Sequence, residues 1–112
     1  MEATAMLSVQ EQVLYDLCRL NIPIHLSGHR QLCLAIPLFA TDISQQMCNE
    51  IYPAVSKLLG YTDWRAVEFS IRRAILSAWE HGDPEVWDEY FPGIHRAPSN
   101  KQFIATLAMR IK

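Results

Sequence analysis

Residues 53–81 run Pro53-Ala54-Val55-Ser56-Lys57-Leu58-Leu59-Gly60-Tyr61-Thr62-Asp63-Trp64-Arg65-Ala66-Val67-Glu68-Phe69-Ser70-Ile71-Arg72-Arg73-Ala74-Ile75-Leu76-Ser77-Ala78-Trp79-Glu80-His81. Proline is favoured in the first turn of a helix, where its missing N–H is not needed, and glycine just past a helix end, where the backbone turns left-handed. Pro53 to Gly60 is therefore predicted as a short helix. Thr62 or Asp63 can cap a longer one running to about His81. Val67, Ile71, Ala74, Ile75 and Ala78 fall on one face of it at helical spacing. A short helix, a glycine turn and a longer helix are the plan of a helix-turn-helix over about 53–81.

The flanking sequence is helical as well. Ser8-Val9-Gln10-Glu11 has the spacing of a capping box, followed by a stripe of Val9, Val13, Leu17 and Leu20 that Asn21 and Pro23 terminate. A second helix is expected from near His29, carrying Leu32, Leu34, Ala35, Ile36 and Phe39 and bent or ended by Pro37. Ile43, Met47, Ile51 and Tyr52 suggest a short helix before Pro53. Asp83-Pro84-Glu85 supplies a cap, an N1 proline and a first-turn acid, and Phe91-Pro92-Gly93 ends that element. Ser99-Asn100-Lys101-Gln102 is a second capping box ahead of Phe103, Ile104, Leu107, Ala108 and Ile111. Clean alternation and hairpin turn pairs are both missing. The fold class implied is all-α: one compact domain, 1–112, of about six helices.

Composition narrows the function. Half the 112 residues are apolar and 20% are charged, enough to bury a core and remain solvated. The longest apolar stretch, Leu32 to Ala40, is about half of what a bilayer requires, and Met1 to Ala5 lacks the basic and apolar regions of a signal peptide. A cytoplasmic location is expected, without membrane contact. Cys18, Cys33 and Cys48 are widely spaced, and buried free thiols are expected of them. His25 and His29 have no acid or thiol to complete a metal set. No phosphate loop, nucleophile elbow or carboxylate pair is present, so neither an enzyme, a metal, a cofactor nor a small-molecule substrate is expected. Net charge is −2, but it is unevenly placed. Residues 80–90 hold Glu80, Asp83, Glu85, Asp88 and Glu89 and no base, whereas 91–112 hold Arg96, Lys101, Arg110 and Lys112 and no acid. A separation of this kind can present one positive face to nucleic acid.

Several runs resemble the C-terminal effector domains of the sporulation initiation regulators, the stage-zero sporulation protein A family. They are Ile24-His25-Leu26-x-Gly28, Leu32-x-x-Ala35-Ile36, Asp42-Ile43, Tyr52-Pro53, Val67-Glu68-x-x-Ile71-Arg72-x-Ala74-Ile75-x-x-Ala78-Trp79-x-x-Gly82 and Pro98-x-Asn100-x-x-Phe103-Ile104-Ala105. The resemblance covers roughly 10–110. It implies an all-helical, sequence-specific duplex-DNA-binding module of a transcription regulator. Its recognition helix, about 63–81, would enter the major groove, with two copies on tandem sites. A phosphorylatable receiver precedes such domains in the full-length regulators; this chain is too short to include one.

With the core face of that helix assigned, Arg65, Glu68, Phe69, Arg72, Arg73 and Leu76 fall on the opposite side. Arg65, Phe69 and Arg72 or Arg73 follow one another at three- or four-residue steps, as base and phosphate contacts do on a recognition helix. The resemblance implies that Glu68 reads a base. It also implies an arginine next to it, where this chain has Phe69. Arginine can hold guanine through two hydrogen bonds; phenylalanine can only press on a thymine methyl. Arg65 is the alternative guanine reader. Arg72 and Arg73 suit phosphates, Arg72 also a base, and Arg96 and Lys101 add phosphate contacts. Two other assignments fit the same residues: a solvated face in which Glu68 pairs with Arg72, or a protein-interaction surface around Phe69 that has lost DNA recognition.

Overall fold

Ser8 opens the first helix with a complete capping box: its hydroxyl accepts from the Glu11 amide at 3.1 Å and the Glu11 carboxylate accepts from the Ser8 amide at 3.0 Å. The computed structural model describes residues 8–111, so the reading of Met1 to Ala5 lies outside the described residues. Among those described, the elements are α1 (Val9–Arg19), α2 (Ser27–Thr41), a π-helical turn (Met47–Ile51), α3 (Tyr52–Leu59), α4 (Arg65–His81), α5 (Pro84–Tyr90) and α6 (Asn100–Met109), with no strand. Six α-helices around one apolar core make an all-α bundle. Among the described residues no helix is long and apolar enough to cross a membrane.

Three local expectations are revised. Val9 is exposed, so the buried stripe of α1 begins at Val13 and continues through Leu17. The helix α2 starts at Ser27, near the expected His29, and does not end at Pro37 but continues to Thr41. A proline inside a helix costs about 3 kcal/mol. Leu32, Ile36 and Phe39 are buried on the same helix, and burial of each such side chain yields about 1.5–3 kcal/mol; together they outweigh the proline. Ile43 is exposed and belongs to no helix. The Asp42 carboxylate accepts from the Ser44 amide at 3.0 Å and closes a turn there instead. The next coil is π-helical, with the Ile51 amide reaching back five residues to the Gln46 carbonyl at 3.1 Å, and it runs directly into α3.

Two glycines set the helix-turn-helix. Gly60 ends α3 at φ 78°, and the Tyr61 amide reaches the Ser56 carbonyl at 2.9 Å while the Gly60 amide reaches Lys57 at 3.3 Å. This pair of bonds is a Schellman closure, which demands a left-handed residue. Gly28 lies against α4 so closely that a Cβ there would sit 2.4 Å from the Ser70 carbonyl oxygen and 2.7 Å from the Ala74 Cβ. The first turn of α2 can therefore lie on the back of α4, whose Val67, Ile71, Ala74, Ile75 and Ala78 are all buried as the spacing predicts. At the far end, Trp79 meets Trp87 edge-on at 5.4 Å, and Trp87 stacks on Phe91 at 5.6 Å, joining α4 to α5.

Candidate nucleic-acid interface

In the turn before α4 the Asp63 Oδ1 accepts from the Arg65 amide at 2.9 Å, but the N-cap position is Trp64 and no side chain caps the helix, so the cap expected of Thr62 or Asp63 is not formed. The same carboxylate takes the Arg65 Nε at 3.2 Å. This contact holds the Asp63 carboxyl below its ordinary range and raises the Arg65 guanidinium, both groups lying at the surface. The Trp64 ring stacks on Tyr52 of α3 with centroids 6.0 Å apart, which fixes the turn between the two helices.

From this start α4 presents Arg65, Glu68, Phe69 and Arg73 to solvent, with Arg72 half-buried. Phe69 is 71% exposed, a large apolar ring standing in water between charged neighbours. Glu68 and Arg72 form no ion pair. Arg72 Nη1 instead donates to the Pro98 carbonyl, and the backbone carbonyl of Glu68 accepts from Asn100 Nδ2 at 3.0 Å. The segment 94–102 thus lies along the N-terminal half of α4, and an open groove of about 1400 Å³ separates them.

Six of the seven residues picked out from the sequence line this groove: Arg65, Glu68, Phe69 and Arg72 on the α4 side, Arg96 and Lys101 across from them. Arg73 does not. It borders a smaller hollow on the outer face of α4, with Phe69, Leu76, Ser77 and Glu80. The spacing of α4 does not reveal the rest of the lining. Met47 and Cys48 come from the π-helical turn, which has no sequence signature; Tyr52 and Asn100 form buried parts of the wall. Burial pushes the Tyr52 phenol above its ordinary value. Asn100 stands in the quoted Pro98-x-Asn100 run, but its contact with Glu68 spans 32 positions and has no local signal.

Ser99 caps α6 by accepting from the Gln102 amide at 3.1 Å, which is one half of the capping box expected there; the return bond from Gln102 is absent. The cysteines are free, but Cys18 and Cys48 are exposed and Cys33 is half-buried, not the buried set expected. Cys18 shares the outward face of α1 with exposed Leu14, and Cys48 lines the groove. Among the described residues no three His, Cys, Asp or Glu side chains gather as a metal set would.

The model of the family described as sporulation initiation factor Spo0A C terminal matches residues 13–111, nearly the whole chain. The chain belongs to the Spo0A C-terminal family. That family consists of DNA-binding effector domains of a transcription regulator, and it is a regulatory family, not a family of enzymes. The all-helical bundle with its helix-turn-helix at 52–81 is in keeping with this membership.

Proposed function

We propose that this chain binds duplex DNA sequence-specifically as a transcription-regulator module, with α4 as the recognition helix in the major groove. The observation that carries this is the convergence of Arg65, Glu68, Phe69, Arg72, Arg96 and Lys101 on one open groove beside the second helix of a helix-turn-helix. Glu68 can accept from a cytosine amine, Phe69 can press on a thymine methyl, and Arg65 can leave its exposed contact with Asp63 to grip guanine. Arg96 and Lys101 can hold the backbone of a flanking strand, and Arg73, on the outer side of α4, that of the other. Arg72 has guanidinium donors left over from Pro98 for a phosphate or base. Two copies would occupy tandem sites.

Titration with duplexes at two salt concentrations tests this. Each phosphate contact adds about 0.9 to the slope of log affinity against log salt, so binding should fall steeply. Arg73→Ala should weaken binding to all sequences, and Arg65→Ala should change the preference among them. No binding to any duplex at low salt rejects the proposal.

The exposure of Phe69 favours one other reading, a protein-interaction surface that has given up DNA. Phe69→Arg separates the two. It strengthens DNA binding under the first and abolishes partner association under the second.

A further inference from the structure

We propose that Asn100 and Arg72 are positioning residues that lock the recognition helix to the cationic segment 94–101, so that base reading and phosphate gripping reach the DNA as one rigid unit. This rests on the DNA-binding proposal above.

Two hydrogen bonds run in opposite directions between the same two short segments. Asn100 Nδ2, at the first residue of α6, donates to the Glu68 carbonyl of α4 at 3.0 Å. Arg72, one turn further along α4, donates back to the Pro98 carbonyl. Among the described residues, 95–98 make no other hydrogen bond. The polar ties of this loop therefore consist of that one guanidinium and, just beyond it, the cap and first residue of α6. Arg96 lies inside the loop and Lys101 beside Asn100. If the ties open, both cations lose their fixed distance from Glu68 and Phe69.

The chemistry of Asn100 points the same way. Asn100 is 7% exposed, its amide also bears on the Tyr52 phenol, and its Oδ1 makes no hydrogen bond among the described residues. A buried, half-satisfied amide costs free energy that an apolar residue of the same size would not. Asn100 is thus a poor choice for stability alone and a good one for fixing a register, since its Nδ2 can hold a backbone carbonyl that has already accepted its helical bond. Apolar packing of Ile94 and Ala97 keeps the loop on the core but does not fix its register along α4, because such contacts are not directional.

The test uses the full chain and a duplex selected from a random pool, with the salt slope as readout. Asn100 is neutral, so Asn100→Ala removes no charge. Coupling predicts that its slope is nonetheless shallower than that of the unaltered chain by about 1–2, the loss of one or two phosphate contacts. It also predicts that Asn100→Ala adds nothing to the slope change of the Arg96→Ala/Lys101→Ala double variant. A purely structural role lowers the folded fraction and leaves the slope alone. An Asn100→Ala slope equal to that of the unaltered chain overturns the coupling while leaving DNA binding standing. Failure of the unaltered chain to bind any duplex overturns the DNA-binding proposal, and the coupling with it. Should Asn100→Ala not fold, Asn100→Leu fills the same space for the same measurement. In the unaltered protein, Asn100 side-chain amide protons that exchange as fast as those of exposed asparagines would also overturn the coupling.

Discussion

The two ends of the bundle use the same residue types in opposite ways. Where α1, α5 and the end of α6 meet, Asp16, Arg19, Glu89 and Arg110 all have partners. Asp16 is 0% exposed and accepts from the Tyr90 hydroxyl at 2.6 Å, Arg110 Nε at 3.2 Å and Gln12 Nε2 at 3.2 Å. Arg110 also lies over the Tyr90 ring, 4.3 Å from its centroid, and Arg19 pairs with Glu89 at 2.6 Å. Along the groove, by contrast, Arg96, Lys101 and Glu68 make no side-chain ion pair among the described residues, and Phe69 stands in water. Charges that hold a fold are neutralised inside it. Charges left without partners beside an exposed aromatic ring suit a surface whose partner is another molecule.

Substitutions on the two sides should therefore separate stability from binding. The largest effect is expected at Asp16. Asp16→Ala strands Tyr90, whose phenol desolvation and, after it, the buried carboxylate push up to about 12, and leaves Arg110 without its anion. Removing one partner of a buried pair costs about 3–5 kcal/mol, and the partly exposed Arg110 places this one near about 3 kcal/mol. Chemical denaturation should read that loss, while duplex affinity below the melting temperature stays unchanged. A matching loss of affinity would break the comparison. Next in size, Arg96→Ala with Lys101→Ala should leave the denaturation midpoint in place and make the salt slope shallower by about 2. Smaller again is Asp63→Asn. The amide oxygen can keep the bond to the Arg65 amide, but Arg65 is released from its carboxylate, and duplex affinity should rise by about two- to fivefold at low salt.

The same contrast explains what could be read from the chain alone. The core face of α4 was legible because burial imposes a period, and Val67, Ile71, Ala74, Ile75 and Ala78 keep it. Caps at Ser8, Asp83 and Ser99 were legible because each bonds an amide two or three residues on. The groove was legible on its α4 side by subtraction, and across from it because Arg96 and Lys101 lie in an acid-free stretch. Contacts between distant segments left no such trace. Asp16 is an ordinary acid in a helical run until α5 and α6 close over it, and Asn100 an ordinary N1 residue until Glu68 arrives. Passage of α2 through Pro37 was hidden for the same reason, since the burial that sustains that helix comes from other elements.

The smallest expected effect concerns pH and lies on neither side. His29, in the first turns of α2, is partly withdrawn from water, and that desolvation lowers its pKa below the ordinary value, which is near 6.5. Its ring Nδ1 lies 3.8 Å from Cys33 Sγ, a neutral neighbour whose thiol burial pushes upward. An imidazole harder to protonate in the folded chain than in the unfolded one means that the unfolded state binds more protons as pH falls. The stability it contributes is thus whole above pH about 6.5 and drains away below it. His29→Gln should flatten this decline in a melting series between pH 7 and pH 5. Because α2 carries Gly28 against α4 next door, the series also asks whether acid loosens the seat of the recognition helix. Duplex affinity that falls over the same pH range, and no longer does so in His29→Gln, would show that the two ends of the molecule are not as separate as their charges suggest.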